Sequence, residues 1–288
     1  MSLPIPKYVP PVVMAEEKTL LSIDLDDLEV RTLYALHQAQ SCLGGEIRLV
    51  AADSQHLDLV GFVESDARRA RIAELFAQSI QQGALRLKIR TPAEFPPVAL
   101  PPLSVSSATP ADELDRERMP LESDLIRAYG VLYPGEGEGA LDKRVLALSN
   151  EVLRLATIAL DHAWAIQNMA TRYPASRIDG LRSELGGLVK TMVRDHVSGL
   201  AGTGAELSEK VMPLLDAIPI TDSQPEEAGS ESWQASAGVL LRDVKQLHED
   251  AHQLFSLTGH KVDDPDACAR RFRATLARIV REANAARF

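Results

Sequence analysis

Aromatic residues are scarce in this chain: Phe, Tyr and Trp make up 5% of its 288 residues. A core with so few rings must rest on Leu, Ile, Val and Ala, which suits packed helices better than a sandwich of aromatic strands. Cysteine is scarcer still, with Cys42 and Cys268 far apart. Two lone cysteines make neither a disulfide scaffold nor a metal knuckle. Each reads as a small, partly buried apolar residue, and a bridge between them would depend on tertiary geometry. No run of about 18 apolar residues occurs, so no segment reads as a membrane-spanning helix. The start of the chain has neither the charged nor the apolar region of a secretory signal. An excess of basic residues is missing as well. The formal net charge is -10, which argues against nucleic acid as a partner and serves solubility.

What is present is ordinary globular composition, 45% hydrophobic and 25% charged, in a chain long enough for two domains. The expected fold class is α+β: a small helix-strand-strand-helix-strand module followed by an all-α helical bundle. Residues 1–19 hold Pro4, Pro6, Pro10 and Pro11 and read as a Pro-rich lead-in. Residues 20–91 read as the small domain. A helix is expected over 25–42, with Asp24, Asp26 and Asp27 at its positive end. Alternation of polar and apolar residues predicts strands over 46–50, 56–63 and 84–90. Residues 66–81 have helical spacing, with Ile72, Leu75, Phe76 and Ile80 on one side. Both helices are expected on one face of a three-stranded sheet. Residues 92–118 carry Pro92, Pro96, Pro97, Pro101, Pro102 and Pro110 and read as a Pro/Ser-rich linker.

Residues 119–288 lack strand signals and read as the bundle, with helices near 121–129, 141–172, 177–199, 204–217, 234–257 and 265–284. One seam runs Val145, Leu148, Val152, Leu155, Ala159, His162, Ile166, Met169, Tyr173. A second runs Leu240, Val244, Leu247, Ala251, Leu254, Thr258. Steps of three and four are what an antiparallel bundle requires. Breaks are expected at 133–139, at Tyr173-Pro174, across 221–230, and in the Gly-rich stretch 199–204, which lacks the strand and Lys-Ser/Thr of a phosphate loop and reads as a helix terminator.

The sharpest chemical motif is His248-Glu249-Asp250-Ala251-His252. H-E-x-x-H on a helix puts two imidazoles on one face to hold zinc, with Glu249 as general base toward a metal-bound water. The fit is poor. Asp250 stands where a bulky apolar residue belongs, His260 misses the offset of a third ligand, and Glu282 has no local pattern around it. The plain alternative makes His248 and His252 a polar border of the apolar seam, with Glu249 and Asp250 facing water. Zinc at His248 and His252 is thus the one metal considered, and no cofactor is otherwise expected. His162 reads as a buried or boundary histidine of its seam. Asp195 and His196 point about 100° apart on a helix and read as surface. Arg68, Arg69 and Arg71 read as a solvated face beside Glu64, Asp66 and Glu74.

Residues 46–90 resemble the BON domain and related ring-building modules of bacterial envelope proteins. The likeness lies in Glu46-Ile47-Arg48-Leu49-Val50, in Leu57-Asp58-Leu59-Val60-Gly61-Phe62-Val63-Glu64-Ser65, and in the helix and strand that follow. With the helical second half, the chain also resembles the extracytoplasmic region of a membrane protein of the anti-sigma-factor type. The resemblance implies a non-enzymatic, envelope-associated binding or sensory region that acts through a protein partner or phospholipid. It also implies a periplasmic location, with membrane association through a segment outside this chain; without such a segment the expectation is cytoplasmic. The alternatives are a zinc-dependent hydrolase built on His248, Glu249 and His252, and a structural assembly module.

Overall fold

The computed structural model describes residues 24–42, 47–53, 55–95, 119–216, 233–256 and 263–286. The lead-in, most of the linker, the 221–230 break, Thr258 and His260 lie outside them. The architecture is α+β, a three-stranded sheet with its helices followed by a helical bundle.

Helix α1 spans Leu25–Gln38, and the Asp24 side chain caps it by accepting from the Asp27 N–H. It ends in a Schellman motif: the Ser41 N–H reaches back to Leu36 O and the Gln40 N–H to His37 O, with Gln40 in the left-handed region at φ 52°. This tight reversal brings Cys42 back alongside the last turn of α1. Arg68 then donates to Gln40 O and to Ser41 Oγ, a cation at the negative end of a helix.

Strands β1 (Ile47–Ala51), β2 (Leu57–Phe62) and β3 (Leu85–Arg90) lie in the order β1-β2-β3. β1 and β2 are antiparallel, and β2 and β3 are parallel. Parallel pairing needs a crossover, which α2 (Asp66–Leu75) and α3 (Ala77–Gln81) supply. Spacing alone predicts one helix over 66–81; the structure breaks it at Phe76 (φ -111°), whose ring is buried in the sheet core. Leu49, Leu57, Leu59, Leu85 and Ile89 form the apolar row against Leu36, Ile72 and Phe76. A 3-10 turn, Pro92–Glu94, follows β3.

The bundle comprises α4 (Glu122–Leu132), α5 (Glu138–Arg172), α6 (Ala175–Gly180), α7 (Ser183–Leu215), α8 (Trp233–Phe255) and α9 (Pro265–Ala285). α5 packs on α7 and α8, and α9 packs on the same two helices. Both expected seams are buried over their described residues, except that His162 is only half-buried. The terminator expected at 199–204 is absent: α7 runs through it as one helix. Two of its glycines serve packing instead. A Cβ at Gly204 would stand 2.9 Å from Val280 Cγ2, and one at Gly199 would stand 2.4 Å from His162 Cε1.

Helix α1 serves both cores. Leu36 packs on the sheet, while Val30 belongs to the bundle core, with Leu33 and Tyr34 against it. Buried Glu29 accepts from Arg172 Nε and from Tyr173 Oη, each at 2.7 Å. Arg172 also donates to Leu49 O of β1. The end of α5 therefore grips α1 and the sheet together. No described helix is long and apolar enough to cross a membrane.

Candidate metal centre

Where α1 crosses the bundle, three histidines and a cysteine converge from separate parts of the chain. His37 sits in the last turn of α1, and Cys42 just beyond the Schellman reversal. His162 comes from α5 and His196 from α7. Cys42 Sγ lies 3.4 Å from His37 Nδ1 and 3.5 Å from His196 Nε2. These three donor atoms all fall within 4.8 Å of one another. Among the described residues no other group of three or more His, Cys, Asp and Glu side chains converges this way.

The outward-facing nitrogens of both rings have partners. His37 Nε2 is 3.0 Å from Asp195 Oδ2, and His196 Nδ1 is 3.3 Å from His162 Nδ1. An ion held by His37 Nδ1 leaves the proton on Nε2, which then donates to the Asp195 carboxylate. An ion held by His196 Nε2 leaves the proton on Nδ1, which donates to His162. Metal-bound imidazoles are oriented by such outer hydrogen bonds, often to a carboxylate. Gly199 makes the second of these contacts possible, because any side chain there would displace the His162 ring.

Burial sets the protonation of two of the three donors, in opposite senses for metal binding. Burial, helped by the charges of His37 and His162, pushes His196 down to about 3, so it is a neutral imidazole at physiological pH. Burial also lowers His162. The Cys42 thiol is pushed up to about 11 by burial. Without an ion it is therefore a thiol, and a bound cation displaces its proton. Cys42, His37 and Asp195 also lie in the serial order of a thiol-nucleophile relay. A nucleophile needs a depressed thiol pKa, and burial acts on Cys42 in the opposite sense.

The two sulfur–nitrogen distances match a tetrahedral ion, while the two imidazole nitrogens, as much as 4.8 Å apart, would have to close to about 3.3 Å around it. Zinc bonds of about 2.0 Å to nitrogen and 2.3 Å to sulfur place neighbouring N and S ligands about 3.5 Å apart, the separations seen for both Cys42–His pairs. Three protein ligands leave a fourth position open.

The sequence motif lies elsewhere. His248 and His252 face each other one turn apart on α8, with ring centroids at 4.6 Å, but no third donor joins them among the described residues. Asp250, expected to face water, is buried and bound by Arg271 Nε and Nη2 at 2.5–3.0 Å. Glu282 faces Asp243, Arg278, Arg281 and Arg242. Arg69 pairs with Asp66 and Glu94, and Arg68 approaches Glu64, but Arg68 also caps the end of α1 through Gln40 and Ser41, which a purely solvated face would not do. Cys42 and Cys268 are both free.

His196 is buried, against the surface position expected for it. His37 carries no sequence motif beyond one weak signal, a cysteine five residues on, which becomes informative only once the left-handed turn at Gln40 is known. No protein family, no characterised protein and no solved structure matches this chain.

Proposed function

We propose that this chain is a non-enzymatic binding and sensory module whose ligand is a thiophilic divalent metal ion of the zinc class, held by His37 Nδ1, Cys42 Sγ and His196 Nε2. The observation that carries the reading is the convergence of Cys42 Sγ on two imidazole nitrogens at 3.4 and 3.5 Å, with Asp195 on the far nitrogen of His37. A mixed N/S donor set favours zinc or a similar soft ion over magnesium or calcium, which prefer oxygen. The ligands come from the C-terminal end of α1 and from α7, so binding would tie the sheet module to the bundle. An ion that binds only the assembled form stabilises it by RT ln(1 + c/Kd), where c is the free ion concentration, so the gain grows with c. Metal availability would thereby be converted into the stability of one interface, which is what a sensor requires. The likeness of residues 46–90 to BON modules favours a binding role at the cell envelope over catalysis.

The test is a zinc titration of the full chain against a chromophoric chelator, repeated with cobalt. The expected result is about one tightly held ion per chain, lost in Cys42→Ser and in His196→Ala. A thiolate-to-cobalt charge-transfer band should also appear and be absent from Cys42→Ser. Uptake that is equal in Cys42→Ser, or that disappears instead in the His248→Ala/His252→Ala variant, overturns the reading.

A further inference from the structure

The sheet has a second face that none of the described helices covers. Leu49, Leu57, Leu59, Leu85 and Ile89 point into the core. The intervening residues therefore point outward, because side chains alternate along a strand. The register arranges them in rows: Arg48 beside Val60 beside Lys88, Val50 beside Asp58 beside Arg86, and Phe62 beside Arg90. Val50, Val60 and Phe62 are 48%, 38% and 39% exposed. Phe95, 49% exposed, extends the apolar stripe, with its ring centroid 5.7 Å from that of Phe62.

Charge is distributed unevenly here. Arg48, Arg86, Lys88 and Arg90 flank the stripe, whereas Asp58 is the only acid in the three strands. Lys88 neutralises Asp58 in an ion pair, and Asp53 approaches Arg86 only at 4.0 Å. On a chain of net charge -10 this is a local positive field around a hydrophobic strip. Apolar surface rimmed by charge marks an interaction site rather than ordinary solvated surface, and the sign of the rim selects a partner of opposite sign.

We infer that this face of the sheet docks an acidic–apolar polypeptide segment of another protein, with its apolar side chains on Val50, Val60, Phe62 and Phe95 and its carboxylates paired to Arg48, Arg86 and Arg90. Lys88 is occupied by Asp58 and contributes field rather than a new pair. Such a segment matches both features of the face at once. Polyanions without apolar groups satisfy only the charge, and uncharged apolar peptides satisfy only the stripe. The inference stands apart from the metal centre and uses none of its residues.

The experiment is fluorescence anisotropy of the full chain with a labelled peptide of alternating Glu and Leu/Phe. Polyglutamate, single-stranded RNA and vesicles of anionic phospholipid are the comparison probes. The peptide is expected to bind more tightly than polyglutamate, and binding should weaken as salt rises. The Arg86→Glu/Arg90→Glu variant should lose at least tenfold in affinity, and Phe62→Ser should lose affinity with its salt dependence retained. All three positions are outside the core, and a far-ultraviolet melt confirms that each variant is folded. No binding of the peptide by the parent chain, unchanged affinity in both folded variants, or preference for RNA or vesicles over the peptide overturns the inference.

Discussion

Gly199 of α7 and the His162 ring of α5 claim the same space: a methyl group at Gly199 would stand 2.4 Å from Cε1 and 2.6 Å from Nε2 of the imidazole. Gly199→Ala should therefore move the ring rather than the helix. Alanine favours a helix interior over glycine by about 1 kcal/mol, and the clash offsets that gain. The expected outcome is a melting temperature near the parent's, a shifted His162 imidazole resonance, and weaker zinc binding through loss of the His162–His196 contact. Adding His162→Ala to Gly199→Ala should raise the melting temperature above that of Gly199→Ala, because the clash is removed. A Gly199→Ala protein with parental zinc affinity and an unmoved resonance would show that the His162 contact does not matter to the site.

Asp195→Asn separates orientation from ligation. Asp195 touches His37 Nε2 but none of the proposed donor positions. Its side chain is about half exposed, so its loss should change stability by less than about 1 kcal/mol. An outer carboxylate on a ligating histidine contributes roughly 10–100-fold to metal affinity. The expected result is a loss in that range by competition titration, with an unchanged melt of the metal-free protein.

Glu29 makes stability pH-dependent, with a sign the structure dictates. Burial raises its pKa, but hydrogen bonds from Arg172 and Tyr173 and the charges of Arg172 and Arg177 outweigh it, so the folded value lies below the ordinary 4.5. A depressed carboxylate contributes its full stabilisation above the unfolded pKa and loses it as pH falls through the folded one. Glu29→Gln should cost about 2 kcal/mol at neutral pH. The gap between variant and parent should close only in acid below the ordinary carboxylate range. A gap that stays constant to low pH in denaturant titrations would contradict the assignment.

Asp250 and Arg271 test what the H-E-x-x-H helix is for. The Asp250 side chain is wholly buried, and Arg271 is its cationic partner. Arg271→Ala leaves a buried carboxylate without that partner and should cost about 3 kcal/mol. Combining it with Asp250→Leu should recover most of the loss, since apolar residues replace buried ion pairs with little penalty. Calorimetric melts of the two variants measure this directly.

Much of the fold was legible because hydrophobic periodicity is a local property. The alternation in Leu57-Asp58-Leu59-Val60 and Leu85-Arg86-Leu87-Lys88 marks β2 and β3. The three-and-four spacing from Val145 to Met169 marks the buried face of α5. The failures were local patterns overruled by packing. Glycines at 199–204 read as a stop because glycine weakens an isolated helix, yet α7 needs Gly199 and Gly204 where His162 and Val280 press against it. Asp250 read as solvated because charge prefers water, yet Arg271 comes from α9 to meet it.

The sequence by itself determined the α+β class, the three strands, the long amphipathic helices and the acidic net charge, since each follows from composition or from residues within a few turns of one another. Tertiary structure alone decided the candidate metal centre. His37, His162 and His196 lie on three helices, and what joins them is the left-handed turn at Gln40 that carries Cys42 back to His37, the packing of α1 against α7, and a glycine that lets α5 approach. Helix crossings place side chains by packing geometry, and no spacing along the chain records that a residue from one helix will meet a residue from another.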